Sequence, residues 1–298
     1  MKKILVIGSL NLDIVAKTDH IPSVGETVIA AYSGQYQGGK GSNQACAAAK
    51  LGGDVMMLGA VGDDDSGDYL LKGLSDSGVD VKKIKRVQNV PTGQAWILIN
   101  KQGNNSIVVI PGANSLVDIP YIDAMRDEIM SADIIVMQLE IPIETVCYTA
   151  QLAKELGKTV VLDPAPAVSD LPDALLKNVD FLKPNESELE LLTGCPADNY
   201  TDGTKKLITR GVKNVIVSLG ANGVLCHLSG DEPFHIPGHV VEVKDTTAAG
   251  DAFLAAFTLS LAKDGTIKES IDFAQKVASI VVTRDGAQSS IPSAAEVL

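Results

Sequence analysis

The chain has 298 residues, 45% of them hydrophobic and 21% charged, which is enough apolar material for a full-sized core and too much for a disordered tail. Acidic residues outnumber basic ones 37 to 25, giving a net charge of −12, so the chain as a whole repels nucleic acid and anionic membrane, and no basic run offsets this. Aromatic residues make up 4%, with Trp96 the single tryptophan, which argues against a surface that stacks bases or anchors partners on aromatic rings.

At the N-terminus, Met1-Lys2-Lys3 precedes apolar Ile4 to Leu10. The run imitates a short signal peptide, but Asn11 and Asp13 interrupt it and no small-x-small cleavage site follows, so it predicts a first buried strand. Further runs rich in Val and Ile at Val55–Val61, Ile134–Met137, Val160–Leu162, Phe181–Leu182 and Val215–Val217 suit strands buried on both faces of a parallel sheet. Between them, Ala45–Leu51, Tyr69–Leu74, Ile122–Met130, Thr145–Leu156, Ser187–Leu192 and Thr204–Ile208 carry apolar residues at helical spacing. This alternation predicts an α/β fold, doubly wound, with a mostly parallel sheet and helices on both faces.

Two regions break the rhythm. Residues 14–36 and 92–110 read as hairpins, the second turning at Gln102-Gly103-Asn104-Asn105, and together they predict a small β lid from roughly 13–37 and 92–110. The C-terminal part reads as two helices, Ala249–Lys263 and Ile267–Thr283, parted by Asp264-Gly265. With no repeat, low-complexity stretch or linker, residues 1–298 read as one domain, and the early hairpins spoil the regular count of an eightfold barrel. The longest apolar stretch, Ala252 to Ala262, is about half the ~20 residues of a membrane span. Cys46, Cys147, Cys195 and Cys226 lie far apart with no C-x-x-C spacing, which points to a reducing, cytoplasmic setting.

In open α/β sheets ligands bind past the carboxyl ends of the strands, and there the sequence is polar and small. Asn11 and Asp13 follow the first run, Glu140 the run at 134–137, and Asp163 the run at 160–162. Pro184-Asn185-Glu186 follows Phe181-Leu182, and Ser218, Gly220 and Gly223 follow the run at 215–217. Asn11 and Asp13 are two apart, so on a strand both side chains face the same way and can grip adjacent hydroxyls.

The stretch Gly38-Gly39-Lys40-Gly41-Ser42-Asn43-Gln44 is a glycine-rich turn running into the alanines of a helix. Such a turn lets backbone amides approach a ligand closely. Gly34, Gly39 and Lys40 also match the G-x-x-x-x-G-K of a nucleotide P-loop, but position 41 is Gly and the hydroxyl that would hold Mg²⁺ is missing. A plain structural turn leaves Lys40 and Asn43 without a purpose. In Asp245-Thr246-Thr247-Ala248-Ala249-Gly250-Asp251, small residues offer free amides at the start of an apolar helix, with Asp251 in its first turn. A phosphoryl group on the amides of Ala248, Ala249 and Gly250 would lie beside a carboxylate able to take a hydroxyl proton. His20, His227, His235 and His239 form no ligand or triad pattern, Cys46 reads as core packing, and Asp63-Asp64-Asp65 reads as a solvated loop starting a helix.

These segments, in order from Gly8 to Pro292, resemble the PfkB-type sugar kinases, and the Ala-Ala-Gly-Asp form is similar to the ribokinase branch. Gly8-Ser9-Leu10-Asn11-Leu12-Asp13, Pro22 to Thr27, Met137 to Glu140, Pro164 to Ala167 and Thr283 to Gln288 add to the likeness. The resemblance implies ATP-dependent phosphorylation of the 5-hydroxyl of D-ribose, with Asp251 as general base. It implies that Asn11, Asp13, Gly39, Lys40, Asn43 and Glu140 hold the sugar. Asn185, Ser218, Gly220, Gly223 and Gln275 would line the ATP site, with Glu188 holding Mg²⁺ through water. K⁺ would sit on the side chains of Asp245 and Ser290 and the carbonyls of Thr247, Val281, Arg284 and Gly286, and the lid would pair two subunits in a homodimer. Asp163 departs from the family, where Asn is frequent. Kinases of another sugar, deoxyribose or a nucleoside are alternatives, as is a sensor without turnover; a dinucleotide oxidoreductase lacks its G-x-G-x-x-G after the first strand.

Overall fold

The computed structural model describes residues 1–196 and 198–297. In chain order the elements are β1 (Ile4–Ile7), β2 (Asn11–Lys17), β3 (Tyr32–Gly38), α1 (Lys40–Lys50), β4 (Val55–Leu58), β5 (Ala60–Gly62), α2 (Asp65–Asp76), β6 (Lys85–Val87), β7 (Gly93–Ile99) and β8 (Asn105–Ile110). The middle of the chain holds α3 (Ile119–Ala124), α4 (Arg126–Ser131), β9 (Ile134–Met137), α5 (Ile143–Glu155), β10 (Thr159–Leu162), α6 (Asp173–Leu176), β11 (Phe181–Leu182), α7 (Glu186–Thr193) and α8 (Tyr200–Thr209). Then follow β12 (Asn214–Ser218), β13 (Val224–Leu228), β14 (Phe234–Ile236), α9 (Ala249–Ala262), α10 (Ile267–Val281) and α11 (Ala294–Val297).

Every residue of β1 is buried because the strand is covered on both sides. Ile4 and Val6 enter one core with residues of α1, α2, α9 and α10, while Leu5 and Ile7 enter a second core with residues of α3 to α8. This is why the central strands are continuously apolar rather than alternating. The main sheet runs β14-β13-β12-β11-β10-β9-β1-β4; it is parallel from β4 to β12, and β13 and β14 extend it antiparallel at one edge. The expected α/β architecture is therefore present, with an antiparallel edge that the sequence reading did not include.

Two expected elements divide. The run at 55–61 breaks at Gly59, where a side chain would come within 2.7 Å of the Gly8 carbonyl; the chain leaves the main sheet there, and β5 pairs with β6 instead. The helix expected at 122–130 becomes α3 and α4, because Met125 between them (φ −102, ψ 20) steps out of helical backbone geometry.

The second sheet, β3-β2-β7-β8, contains both expected hairpins. They are joined by parallel pairing of β2 with β7, from Asn11 opposite Gly93 to Lys17 opposite Ile99. Its base is bound to the body by side chains that include Asp64 and Asn114. Asp63-Asp64-Asp65 starts a helix as expected, with Asp64 capping α2 and also accepting from the Thr92 amide (2.8 Å) and hydroxyl (2.6 Å) just before β7. Asn114 exchanges hydrogen bonds with the Leu10 backbone and donates to Asn11 Oδ1 (2.7 Å). On one face of this sheet Trp96 and Val108, paired across β7 and β8, are more than half exposed. Among the described residues no helix is long and apolar enough to cross a membrane.

Candidate active site

The site is built where α1 and α9 begin. At Gly38 a side chain would strike the Asp13 carboxylate, and at Gly39 (φ +91) it would lie 2.7 Å from the Asn11 amide. Glycine at both positions lets β3 end and α1 start directly against β2. The N-terminus of α1 then receives the carboxylate of Glu140, which accepts from the Lys40 amide (3.1 Å), the Ser9 hydroxyl and Asn11 Nδ2 (3.4 Å), an anion on the positive end of a helix.

One turn further along α1, Asn43 and Gln44 reach across to α9. Asn43 Nδ2 donates to Asp251 Oδ2 (2.9 Å), and Gln44 Nε2 donates to Asp251 Oδ1 (3.0 Å) and Asp163 Oδ2 (3.0 Å). Gln138 fixes the Gln44 amide by donating to its oxygen (2.6 Å), and Gln288 donates to Ser42 Oγ (2.6 Å) and Asn43 Oδ1 (3.3 Å). The contact between the two helices is close because both are faced with small residues, Ala45, Ala47 and Ala48 on one and Ala252, Ala255 and Ala256 on the other, all buried in one core.

Ala248 stands in the left-handed region (φ 59) as the residue before α9, a conformation that costs a non-glycine residue about 1 kcal/mol and is held only by its surroundings. It sets the first turn of the helix so that the amides of Ala248, Gly250 and Asp251 make no backbone hydrogen bond among the described residues. The Ala249 amide, expected in the same group, instead donates to the Thr246 carbonyl (3.2 Å).

Burial dominates the electrostatics. Asp251 is 6% exposed, and its carboxyl is raised by burial and by Asp163, against the attraction of Lys40 and the amides of Asn43 and Gln44. Asp13 is raised to about 7 by burial and then by the charges of Glu140 and Asp251. For Lys40 burial opposes the charge, but the carboxylates of Asp251, Asp163, Glu140 and Glu188 together outweigh it and its ammonium is held above the usual range. The six residues expected to hold the sugar therefore come together: Gly39, Lys40 and Asn43 on the α1 side, Asn11 and Asp13 on β2, and Glu140 bridging them.

On the other side of the α9 N-terminus lies a cleft of about 980 Å³. Asn185, Ser218, Gly220, Gly223 and Gln275 line it as expected, with Ala249, Gly250 and Lys183 at one end and Val240, Val241 and Val243 in its wall. Glu188 is not among the lining residues. Its carboxylate is turned back to accept from the Asn185 amide (2.7 Å), closing a capping box at the start of α7. His239 also borders the cleft, a contact its isolated position in sequence did not indicate.

Of the cation set, Asp245 meets two others. Its carboxylate accepts from the Thr247 amide (2.9 Å) and hydroxyl (2.6 Å) and from the Gly286 amide (2.9 Å); burial works against the charge, yet these bonds hold it below its ordinary value. The Val281 carbonyl accepts from the Arg284 amide (3.0 Å), and the buried Ser290 hydroxyl donates to Ala287 O (2.6 Å), so no hydrogen bond joins Ser290 to Asp245. Sequence reasoning assigned no role to Lys183 or Asn114, and none to Gln44, Gln138 and Gln288 beyond their place in quoted segments.

A family model for "pfkB family carbohydrate kinase" matches residues 1–294. The chain belongs to the pfkB family. It is an ATP-dependent sugar kinase. Among curated proteins, the pfkB chain is 40% identical to ribokinase of Schizosaccharomyces pombe over 100% of its own length and 97% of that protein, and 38% identical to deoxyribokinase of Salmonella typhi over 97% and 95%. Among solved structures, Arabidopsis thaliana ribokinase complexed with ribose and ATP superimposes with a TM-score of 0.91 at 33% identity, covering 99% of this chain and 97% of that one.

The raised Asp13 gives a stability signature. Because its folded pKa lies above its unfolded one, the folded protein binds the extra proton, and stability is lost as pH rises from about 4 through about 7. Asp13→Asn removes that loss. In thermal unfolding without sugar, the variant should match the parent near pH 4 and exceed it by several degrees at pH 8, corresponding to on the order of a few kcal/mol; a constant difference across the range would contradict the assignment.

Proposed function

We propose that this pfkB-family kinase transfers the γ-phosphoryl group of ATP to the 5-hydroxyl of D-ribose. The observation that carries the reading is the buried Asp251 carboxylate, fixed by Asn43 and Gln44, one residue beyond the unbonded Gly250 amide. The sugar lies among Asn11, Asp13, Gly39, Lys40, Asn43 and Glu140, and the nucleotide occupies the cleft lined by Asn185, Ser218, Gly220, Gly223 and Gln275. Asp251 removes the proton of the attacking hydroxyl as its oxygen forms a bond to the γ-phosphorus; the bond from that phosphorus to the β-phosphate oxygen breaks, and ADP leaves. Raised by burial, the carboxyl is a better base than an exposed aspartate. The amides of Ala248 and Gly250 steady the charge on the migrating group, with Ala249 joining once its turn to Thr246 opens.

Two ions complete the reading. Among the described residues no group of three or more His, Cys, Asp and Glu side chains is arranged to hold a metal, which fits Mg²⁺ carried chiefly on the nucleotide phosphates with waters, and Glu188 beyond them. The oxygen-only set of Asp245, Ser290 and the carbonyls of Thr247, Val281, Arg284 and Gly286 fits K⁺, and the Asp245 bonds already clamp the segment at 245–247 to Gly286. Both ions would supply positive charge toward the phosphates. Four free cysteines and the acidic balance suit a cytoplasmic enzyme, read as one domain over residues 1–298.

Ribose is favoured by a site in which hydrogen-bonding groups are already fixed to one another, such as Asn11 held by Asn114; sites of this kind reject analogues that lack a partner hydroxyl. The likeness to a deoxyribokinase supports 2-deoxyribose as the second reading. A panel of pentoses, 2-deoxyribose, ketoses and nucleosides with ATP, run in K⁺ and in Na⁺, should give ribose the highest kcat/KM, with faster turnover in K⁺. A higher value for 2-deoxyribose would replace the named substrate, and absence of ADP from every sugar would favour a sensor. Asp251→Asn should lower kcat by ~10²–10⁴ while sugar binding and thermal stability persist; full activity would remove Asp251 from the role of base. The bare face of the lid, carrying Trp96 and Val108 opposite each other, is proposed to pair two copies of the chain. Light scattering should report a dimer that Val108→Glu converts to monomer, and an unchanged mass for that variant would place the contact elsewhere.

A further inference from the structure

Asn114 is buried in the short turn after β8, and the backbone beside it dictates which way its amide points. A peptide N–H only donates and a peptide carbonyl only accepts. Asn114 Oδ1 accepts from the Leu10 amide (2.9 Å), so the other end of the group is nitrogen, and that Nδ2 donates to the Leu10 carbonyl (3.1 Å) and to Asn11 Oδ1 (2.7 Å). The second amide is set by the first: Asn11 turns its oxygen to Asn114 and its nitrogen toward Glu140 Oε2. Gly93 lies across from Asn11 in the register of β2 and β7 and makes room for this contact. A Cβ there would be 2.2 Å from Asn114 Nδ2 and 2.4 Å from Asn11 Oδ1.

Among the described residues Asn11 Nδ2 has Glu140 as its one partner, at 3.4 Å, which is long for a hydrogen bond. Donors are scarce here. Asp13, Glu140 and Asp251 accept when ionised, and the amides of Asn43 and Gln44 already donate to Asp251. A sugar hydroxyl therefore finds acceptors for its hydrogen on several sides, while its oxygen needs one of the few donors. We propose that Asn114 is a positioning residue for the sugar: by holding Asn11 Oδ1 it makes Asn11 present an N–H to a hydroxyl, which accepts there and donates to a neighbouring carboxylate. A reversed Asn11 amide would set its oxygen against Glu140 Oε2 and offer that hydroxyl no donor. Asn114 acts only through Asn11. The inference rests on the sugar site proposed above.

Asn114→Ala removes the constraint and leaves a polar space that water fills. With the sugar that the parent binds most tightly, this variant should lose about tenfold in affinity by calorimetry. KM should rise in proportion while kcat at saturating sugar stays within about threefold, because Asp251 and its donors are untouched. A double-mutant cycle separates positioning from support of the fold: in an Asn11→Ala background, adding Asn114→Ala should change KM by less than about twofold. The same tenfold loss in that background, or parental affinity in the single variant at a lowered melting temperature, would make Asn114 a structural pin and overturn the proposal. The parent enzyme offers a check that needs no variant. In its crystal structure with the sugar, a hydroxyl oxygen should lie within about 3.2 Å of Asn11 Nδ2, and a hydroxyl resting on Asn11 Oδ1 instead contradicts the assignment. Failure of the sugar site itself is distinct, because the parent would then bind none of the sugars in the panel.

Discussion

The site depends on one arrangement: a carboxylate buried at the start of α9 whose two oxygens are taken by amides from α1. A buried ionisable group has to be supplied with donors by the protein, because water no longer provides them. For Asp251 those donors come from Asn43 and Gln44, more than 200 residues earlier in the chain. Their reach is short, so the two helix N-termini must lie close together, and the alanine faces of both helices follow from that requirement. The neighbouring glycines follow in turn, since Gly38 and Gly39 leave room for β2 and its carboxylate to lie against the same helix end.

An acidic chain that handles polyphosphate has to solve the charge problem locally. Here positive potential is concentrated where two helices begin and on two enclosed lysines rather than on an exposed basic surface. Lys40 stands among the carboxylates of Asp251, Asp163 and Glu140, which stabilise its charge against burial, and Lys183 stands at the cleft against Asp163. The Asp245 carboxylate, kept ionised by the backbone around it, anchors the loop that leads into α9. Net charge therefore predicts what the protein avoids and says little about what its interior binds.

Much of this was legible in the sequence because the relevant signals are local. Strands buried on both faces read as continuous apolar runs, α1 and α9 announce themselves as small residues entering alanine-rich helices, and Asn11 and Asp13 sit two apart on a strand. The residues that escaped notice act through partners distant in sequence. Gln44 joins Asp163 and Asp251, Asn114 joins Leu10 and Asn11, and Lys183 meets Asp163; a polar residue at the end of a strand looks the same whether it meets water or a buried carboxylate. The misplaced boundaries have a similar origin. Nothing around Gly59 reveals that Gly8 blocks its way, and the helical spacing across Met125 continues although the backbone does not. Glu188 and the Ala249 amide show the converse: each makes a local hydrogen bond, with Asn185 and with Thr246, that its place in the sequence does not reveal.

The placement of Asn11 and Asp13 has a mechanical consequence. They are not loop residues hanging from the main sheet but the first residues of β2, a continuous ribbon that runs on through seven residues into the cover and is stitched along its length to β3 and β7. The groups proposed to hold the sugar and the outer end of this sheet thus belong to one continuous ribbon, pinned at its base through Thr92 and Asn114. On that reading, strain applied anywhere along the ribbon is carried by the same backbone that places Asn11 and Asp13.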